Sequence, residues 1–264
     1  MPDTLRLATE PAFVVQQRRI PDGLWIEPSP RRVRTYFGGK KIADSKRTLL
    51  VFEPRRPLTY WIPMQDVQLD TLTAEGRAGA SETLFWTLRV GDRLAEKAAR
   101  SHPDPSPDRA ALQDHIAFYW DRMDAWYEED DEVFTGPLNP YHRVDVLRSS
   151  RHIRVEIAGR TVAESTRPAL LFETGLPTRY YLPKQDVRMD LLVASDTTTG
   201  CPYKGVARYW SVRVGEDLVA DMVWGYPAPV PECPKIANLV SFYNEKVDIY
   251  VDGQREERPT TKWS

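Results

Sequence analysis

The sequence predicts an all-β fold built twice, with one short helix in each half. Three features carry that prediction: a repeat at a nearly fixed shift, a dominant period of two, and Gly/Pro turns between short apolar runs. Residues 33–70 align with 153–190 at a shift of 120 without a gap, sharing Arg34/Arg154, Gly39/Gly159, Glu53/Glu173, Tyr60/Tyr180 and the run Gln65-Asp66-Val67/Gln185-Asp186-Val187. Further on the shift becomes 124, pairing Trp86/Trp210, Arg89-Val90-Gly91/Arg213-Val214-Gly215, Phe118-Tyr119/Phe242-Tyr243 and Asp124/Asp248. The second copy therefore carries four extra residues between Leu192 and Tyr209. At 264 residues the chain is long enough for two modest domains, each with its own core.

Taken in chain order, residues 1–30 match neither copy and read as an N-terminal arm with a strand at 12–16. The first β domain spans 31–128. Gly38-Gly39 closes its first hairpin, and Leu84, Trp86, Leu88 and Val90 alternate with polar or outward residues in a half-buried strand that turns at Gly91-Asp92. Leu112, His115, Ile116 and Tyr119 have helical spacing and predict one short helix over 108–119. Residues 129–150, which follow Glu128 into an acidic run, read as a solvated linker. The second domain, 151–253, repeats these elements: a hairpin at Ala158-Gly159, a strand with Trp210, Val212 and Val214 on one face, a turn at Gly215-Glu216 and a helix over 234–243. Residues 254–264 are a C-terminal tail.

Composition narrows the function. With 36 Lys+Arg against 38 Asp+Glu the net charge is −2, which removes the footprint of a general nucleic-acid binder. No run approaches the roughly 18 apolar residues of a membrane span, and residues 1–20 lack the apolar stretch of a signal peptide. Two cysteines make no disulfide framework, so a cytoplasmic setting is expected. No Cys-x-x-Cys pair offers a metal site, and no phosphate-cradling Gly-rich loop or Gly-x-Ser-x-Gly motif appears, so neither metal nor cofactor is expected. Oligomeric state is not legible.

One loop stands out. Cys201-Pro202-Tyr203-Lys204-Gly205 falls in the stretch where the copies differ in length, and the first copy has no counterpart. Lys204, three positions from Cys201, is placed either to lower the thiol pKa and expose a thiolate, which makes Cys201 and Lys204 the candidate catalytic pair, or to bind an anionic substrate on which Tyr203 stacks. Tyr203 is a candidate ligand-binding ring beside them. Trp224 and Tyr226 join it, because the first copy has Arg100 and His102 at those positions. Losing these aromatics together with the loop suggests one shared purpose. Tyr181 and the junction residue His142 complete the candidate ligand-binding set. Glu173, Asp186 and Asp190 persist as Glu53, Asp66 and Asp70, and are expected to serve structure, as in a turn or an ion pair with Arg34 or Arg154.

The stretch Leu171-Phe172-Glu173-Thr174-Gly175-Leu176-Pro177-Thr178-Arg179-Tyr180-Tyr181-Leu182-Pro183, with Tyr209-Trp210-Ser211-Val212 and Trp224-Gly225-Tyr226-Pro227, resembles bacterial DUF family 427, a domain of unknown function. The second copy fits that pattern almost throughout, the first chiefly in its front half. The resemblance implies a compact β fold similar to the tent-like sheets of the Mss4 and methionine sulfoxide reductase B group. Two functions follow as expectations: a pocket in the second domain that binds, or binds and transforms, a polar or anionic small molecule, or a non-catalytic protein-interaction module with exposed aromatics. A concave pocket around Lys204 favours the first; a flat aromatic patch favours the second.

Overall fold

The computed structural model describes residues 23–77 and 83–264, and the strand expected at 12–16 lies outside them. The described residues fall into two compact units that divide between Asn139 and Pro140. In the first, β1 (Trp25–Pro28), β2 (Val33–Phe37), β3 (Lys40–Ser45), β4 (Leu49–Phe52), β5 (Thr59–Pro63), β6 (Leu72–Arg77), β7 (Leu84–Val90), β8 (Arg93–Ser101), β9 (His115–Phe118), β10 (Ala125–Glu128) and β11 (Asp131–Glu132) make two antiparallel sheets. Their orders are β1-β4-β5-β9-β8-β7-β6 and β11-β10-β2-β3. The second unit holds β12 (Val144–Arg148), β13 (Ile153–Ile157), β14 (Arg160–Ser165), β15 (Ala169–Glu173), β16 (Arg179–Pro183), β17 (Leu192–Cys201), β18 (Gly205–Val214), β19 (Asp217–Gly225), β20 (Leu239–Phe242), β21 (Asp248–Val251) and β22 (Gln254–Arg255). These pair as β12-β15-β16-β20-β19-β18-β17 and β14-β13-β21-β22, the same topology strand for strand. The shifts read from sequence hold to the residue: β2 falls on β13 at 120, and β8 on β19 at 124.

Two stretches read as arm and linker contribute strands. Trp25–Pro28 pairs with β4, and Val144–Arg148 pairs with β15, so each seven-stranded sheet begins with a strand from outside the repeat as the sequence delimits it. The acidic run is tied down too. Glu128 accepts from Tyr60 Oη at 2.7 Å, and Asp130 from Arg34 at 2.8 Å.

The helical spacing resolves differently from expectation. Only its front end is helical, as a 3-10 helix at Pro107–Leu112 and a 3-10 turn at Pro234–Ile236. Its rear end is strand β9 or β20. Asp114 and Asn238 interrupt the helix at φ +59° and +60°, a left-handed conformation that Asp and Asn tolerate better than most residues. The chain beyond them then completes a ladder between β5 and β8, or between β16 and β19, which offers backbone partners that a short helix cannot match.

In the second unit the period of two sorts side chains onto opposite faces of the seven-stranded sheet. Leu170, Tyr180, Leu182, Val223 and Val240 join the core shared with the four-stranded sheet. Ala169, Leu171, Tyr181, Ala207, Tyr209, Trp224 and Tyr226 form a separate buried cluster with Cys233 and Ile236. Plain alternation lets β18 serve both clusters, with Ala207 and Tyr209 in one and Trp210 and Val212 against the other.

Candidate functional site

A cavity of about 750 Å³ lies within the second unit. The face that Tyr181, Tyr209, Trp224 and Tyr226 share supplies its inner wall. Tyr203, Tyr243 and Trp263 extend the aromatic lining. Tyr181, Tyr226 and Trp224 are only 1%, 5% and 7% exposed. Trp224 Nε1 donates to Tyr181 Oη at 3.1 Å, and the two rings meet edge to face. Tyr243 tilts against Trp224 with ring centres 4.6 Å apart.

The charged end is built on Glu173. It closes β15 two residues after Leu171 and so faces the same side. Its Oε1 bonds His142 Nε2 at 3.0 Å, and its Oε2 accepts from the Lys204 ammonium. Burial pushes the Glu173 carboxyl up, but the His142 bond and the Lys204 charge outweigh it and hold the group below its ordinary value. His142 stacks on Tyr203 with centres 4.1 Å apart, which ties the junction segment to the Cys-Pro-Tyr-Lys-Gly loop.

That loop is clamped. Lys204 N donates to Cys201 O at 3.2 Å, and Val230 N donates to Lys204 O at 3.2 Å. Gly205 has φ +103°, and a Cβ there would lie 3.2 Å from Ala228 O, so the returning chain packs directly on its backbone. Arg179, also at the cavity, donates to both Glu245 oxygens at 2.7 Å and to Asn244 at 3.1 Å. Its guanidinium lies 5.5 Å from the ring centres of both Trp224 and Trp263.

All seven candidate residues from the sequence (Cys201, Lys204, Tyr203, Trp224, Tyr226, Tyr181 and His142) line this one cavity. Their chemistry differs from expectation at two points. The Lys204 amine is taken by Glu173 rather than by the Cys201 sulfur. The persistent carboxylates do not pair with Arg34 or Arg154, whose partners are Asp130 and Glu156. Asp186 instead takes Ser165 and Arg167, Asp190 takes Arg188, and Glu173 belongs to the cavity. Sequence reasoning also misses Arg179, Tyr209, Tyr243, Lys262 and Trp263. Tyr209 falls on the polar phase of its strand pattern, and the last two lie in the tail.

The first unit shows what replaces this arrangement. Glu53 accepts from Arg100 at 2.5 Å, with Arg109 at 3.5 Å, and His102 stacks on Trp61 with centres 5.0 Å apart. A buried carboxylate meets a cation in both units, but from different strands. In the first the cation rises from β8 at the position of Trp224; in the second it comes from the inserted loop.

The repeat is also what known families report. The profile of a domain of unknown function, DUF427, matches residues 25–129 and again 145–253. The chain belongs to the DUF427 family. Both matches begin at or close to the sheet-edge strands β1 and β12, so these strands are part of the DUF427 domain rather than of an arm or linker. Among curated proteins no relative matches the chain. The cavity lies in the second DUF427 domain.

Proposed function

We propose that this protein binds a polar or anionic small molecule in the second domain, with its aromatic cluster as the walls and the Lys204–Glu173–His142 group as the polar end. One observation carries the reading: large aromatic side chains are buried around a concavity of about 750 Å³, a volume in the range of small-molecule sites. An interaction module would need those rings on an exposed face, and Tyr181, Trp224 and Tyr226 are buried. His142, held by a buried carboxylate, is the group best placed to move a proton should a bound molecule react. The setting in this reading is the bacterial cytoplasm, on a tent-like Mss4-type sheet pair; two free thiols suit a reducing compartment.

The test is native mass spectrometry and thermal-shift screening of the full chain against a metabolite collection. A bound mass, or a ligand-dependent rise in Tm that Tyr203→Ala abolishes, supports the reading. Failure of every compound to shift the protein, with binding of other proteins through Trp224 and Tyr226, would support the interaction module instead.

A further inference from the structure

Two groups at the cavity, Tyr226 and Lys204, keep donors that no described residue accepts. Tyr226 is 5% exposed, and its hydroxyl has no hydrogen-bond partner among the described residues. Lys204, 9% exposed, gives one N–H to Glu173, which leaves two of its three donors without a partner among the described residues. The Glu173 carboxylate acts on both, bonding Lys204 and influencing Tyr226 electrostatically. Burial raises the Tyr226 hydroxyl far above its ordinary value, so it stays protonated at neutral pH and offers a proton.

The acceptors beside Lys204 are already used. Glu173 has one oxygen on His142 and the other on Lys204. The ring faces of Trp224 and Trp263 carry the Arg179 guanidinium, which occupies the cation-binding capacity of those rings. Arg179 is itself neutralised by Glu245. The other carboxylate at the cavity, Asp221, accepts from Thr197 at 2.7 Å on one oxygen and keeps its buried Oδ1 without a partner among the described residues; it lies in the bulge of β19, three residues before Trp224. With Arg179 matched by Glu245, Lys204 and Lys262 stand against Glu173 and Asp221, so what favours an acceptor at the Glu173 end is the set of unused donors there and not a net charge.

Free donors beside buried aromatic faces select a flat ring that carries an oxygen acceptor. We infer that the cavity takes a planar aromatic carboxylate, its ring among Trp224, Tyr243 and Tyr203 and its carboxylate on Tyr226 Oη and Lys204 Nζ. This rests on the reading of the cavity as a small-molecule site and names the ligand class.

The probes are 2-naphthoate, its neutral amide, 2-naphthylmethylammonium and cyclohexanecarboxylate, titrated into the full chain by calorimetry and tryptophan fluorescence. The acid should bind at least about tenfold more tightly than the amide, the expected effect of a charge-assisted hydrogen bond. It should also outbind the non-planar acid. Tyr226→Phe, which removes only an oxygen, should weaken the acid about tenfold and the amide, a neutral acceptor, by less. Lys204→Met with Glu173→Gln, which avoids a stranded carboxylate, should erase the preference for acid over amide. Equal binding of acid and amide, tighter binding of the ammonium through Asp221, or a Tyr226→Phe variant with full acid affinity would overturn the ligand class while leaving a binding site in place. If no probe binds while the metabolite screen finds a ligand of another class, the ligand class alone falls. If neither finds a ligand, the site reading falls with it.

Discussion

At the scale of single residues, the two cysteines sit in one apolar cluster but in different surroundings. Cys233 is buried, and that burial pushes its thiol up to about 11, so almost none is thiolate at neutral pH. Cys201 is only half-buried, at the mouth of the loop. Iodoacetamide at neutral pH should therefore modify Cys201 well before Cys233 in the folded chain, as read by peptide mass spectrometry. Because the Lys204 amine bonds Glu173, Lys204→Met should leave the Cys201 rate essentially unchanged; a marked slowing would restore the thiol-activation role. Glu173 makes a second prediction. Its folded value lies below the ordinary 4.5, so its contribution to stability is present above about pH 4.5 and lost as pH falls through the depressed folded value. Melting curves between about pH 7 and pH 3 should show this loss, and the loss should shrink in Glu173→Gln with Lys204→Met. An unchanged acid limb in that double variant would mean the other ion-paired carboxylates set the acid limit.

At the scale of elements, close backbone approach and buried pairing position the cavity wall. A Cβ on Gly225 would fall 2.5 Å from Leu239 O, across the β19–β20 ladder next to Trp224. Gly225→Ala should force those strands apart and cost about 1–3 kcal/mol in chemical denaturation, the usual penalty for overpacking. The Arg179–Glu245 pair ties the start of β16 to the segment after β20, with both side chains almost fully buried. Glu245→Ala would strand a buried guanidinium and should cost about 3–5 kcal/mol, whereas Arg179→Met with Glu245→Leu should recover much of it. Destabilisation below about 1 kcal/mol for Glu245→Ala would mean water replaces the carboxylate. These are wall elements, and neither was legible as such. Arg179 reads as one more charged residue at a strand start, and Gly225 gains its meaning only when β20 is laid beside β19.

At the scale of the whole molecule, two units of one topology carry different chemistry on the same face. The first puts Arg100 and His102 over Trp61; the second puts Trp224 and Tyr226 beside Tyr181. Ligand binding should therefore be asymmetric. Glu53→Gln with Arg100→Gln, which removes the first unit's buried pair and leaves only the more exposed Arg109 and Arg56 without that carboxylate, should leave the thermal shift caused by ligand unchanged. Lys204→Met with Glu173→Gln should abolish or weaken it. The opposite pattern would move the site to the first unit.

The sequence by itself determined the repeat, its two shifts to the residue, the β class, the turn at Gly38-Gly39 and its copy at Ala158-Gly159, and the loop and aromatics that end up around one cavity. Those are local or internal comparisons: a period of two, a turn residue and a missing counterpart are all visible along one line of text. Tertiary structure alone decided the partners. Whether Lys204 meets Cys201 or Glu173, and whether Glu173 bonds Arg154 or His142, depends on which strands lie side by side across gaps of about thirty residues. It also decided the fate of the helical spacing at 234–243, where the open edges of β16 and β19 supplied a ladder that overrode the local pattern. Pairing energy is non-local, because a backbone or charged group takes the partner the fold places beside it and not its neighbour in sequence.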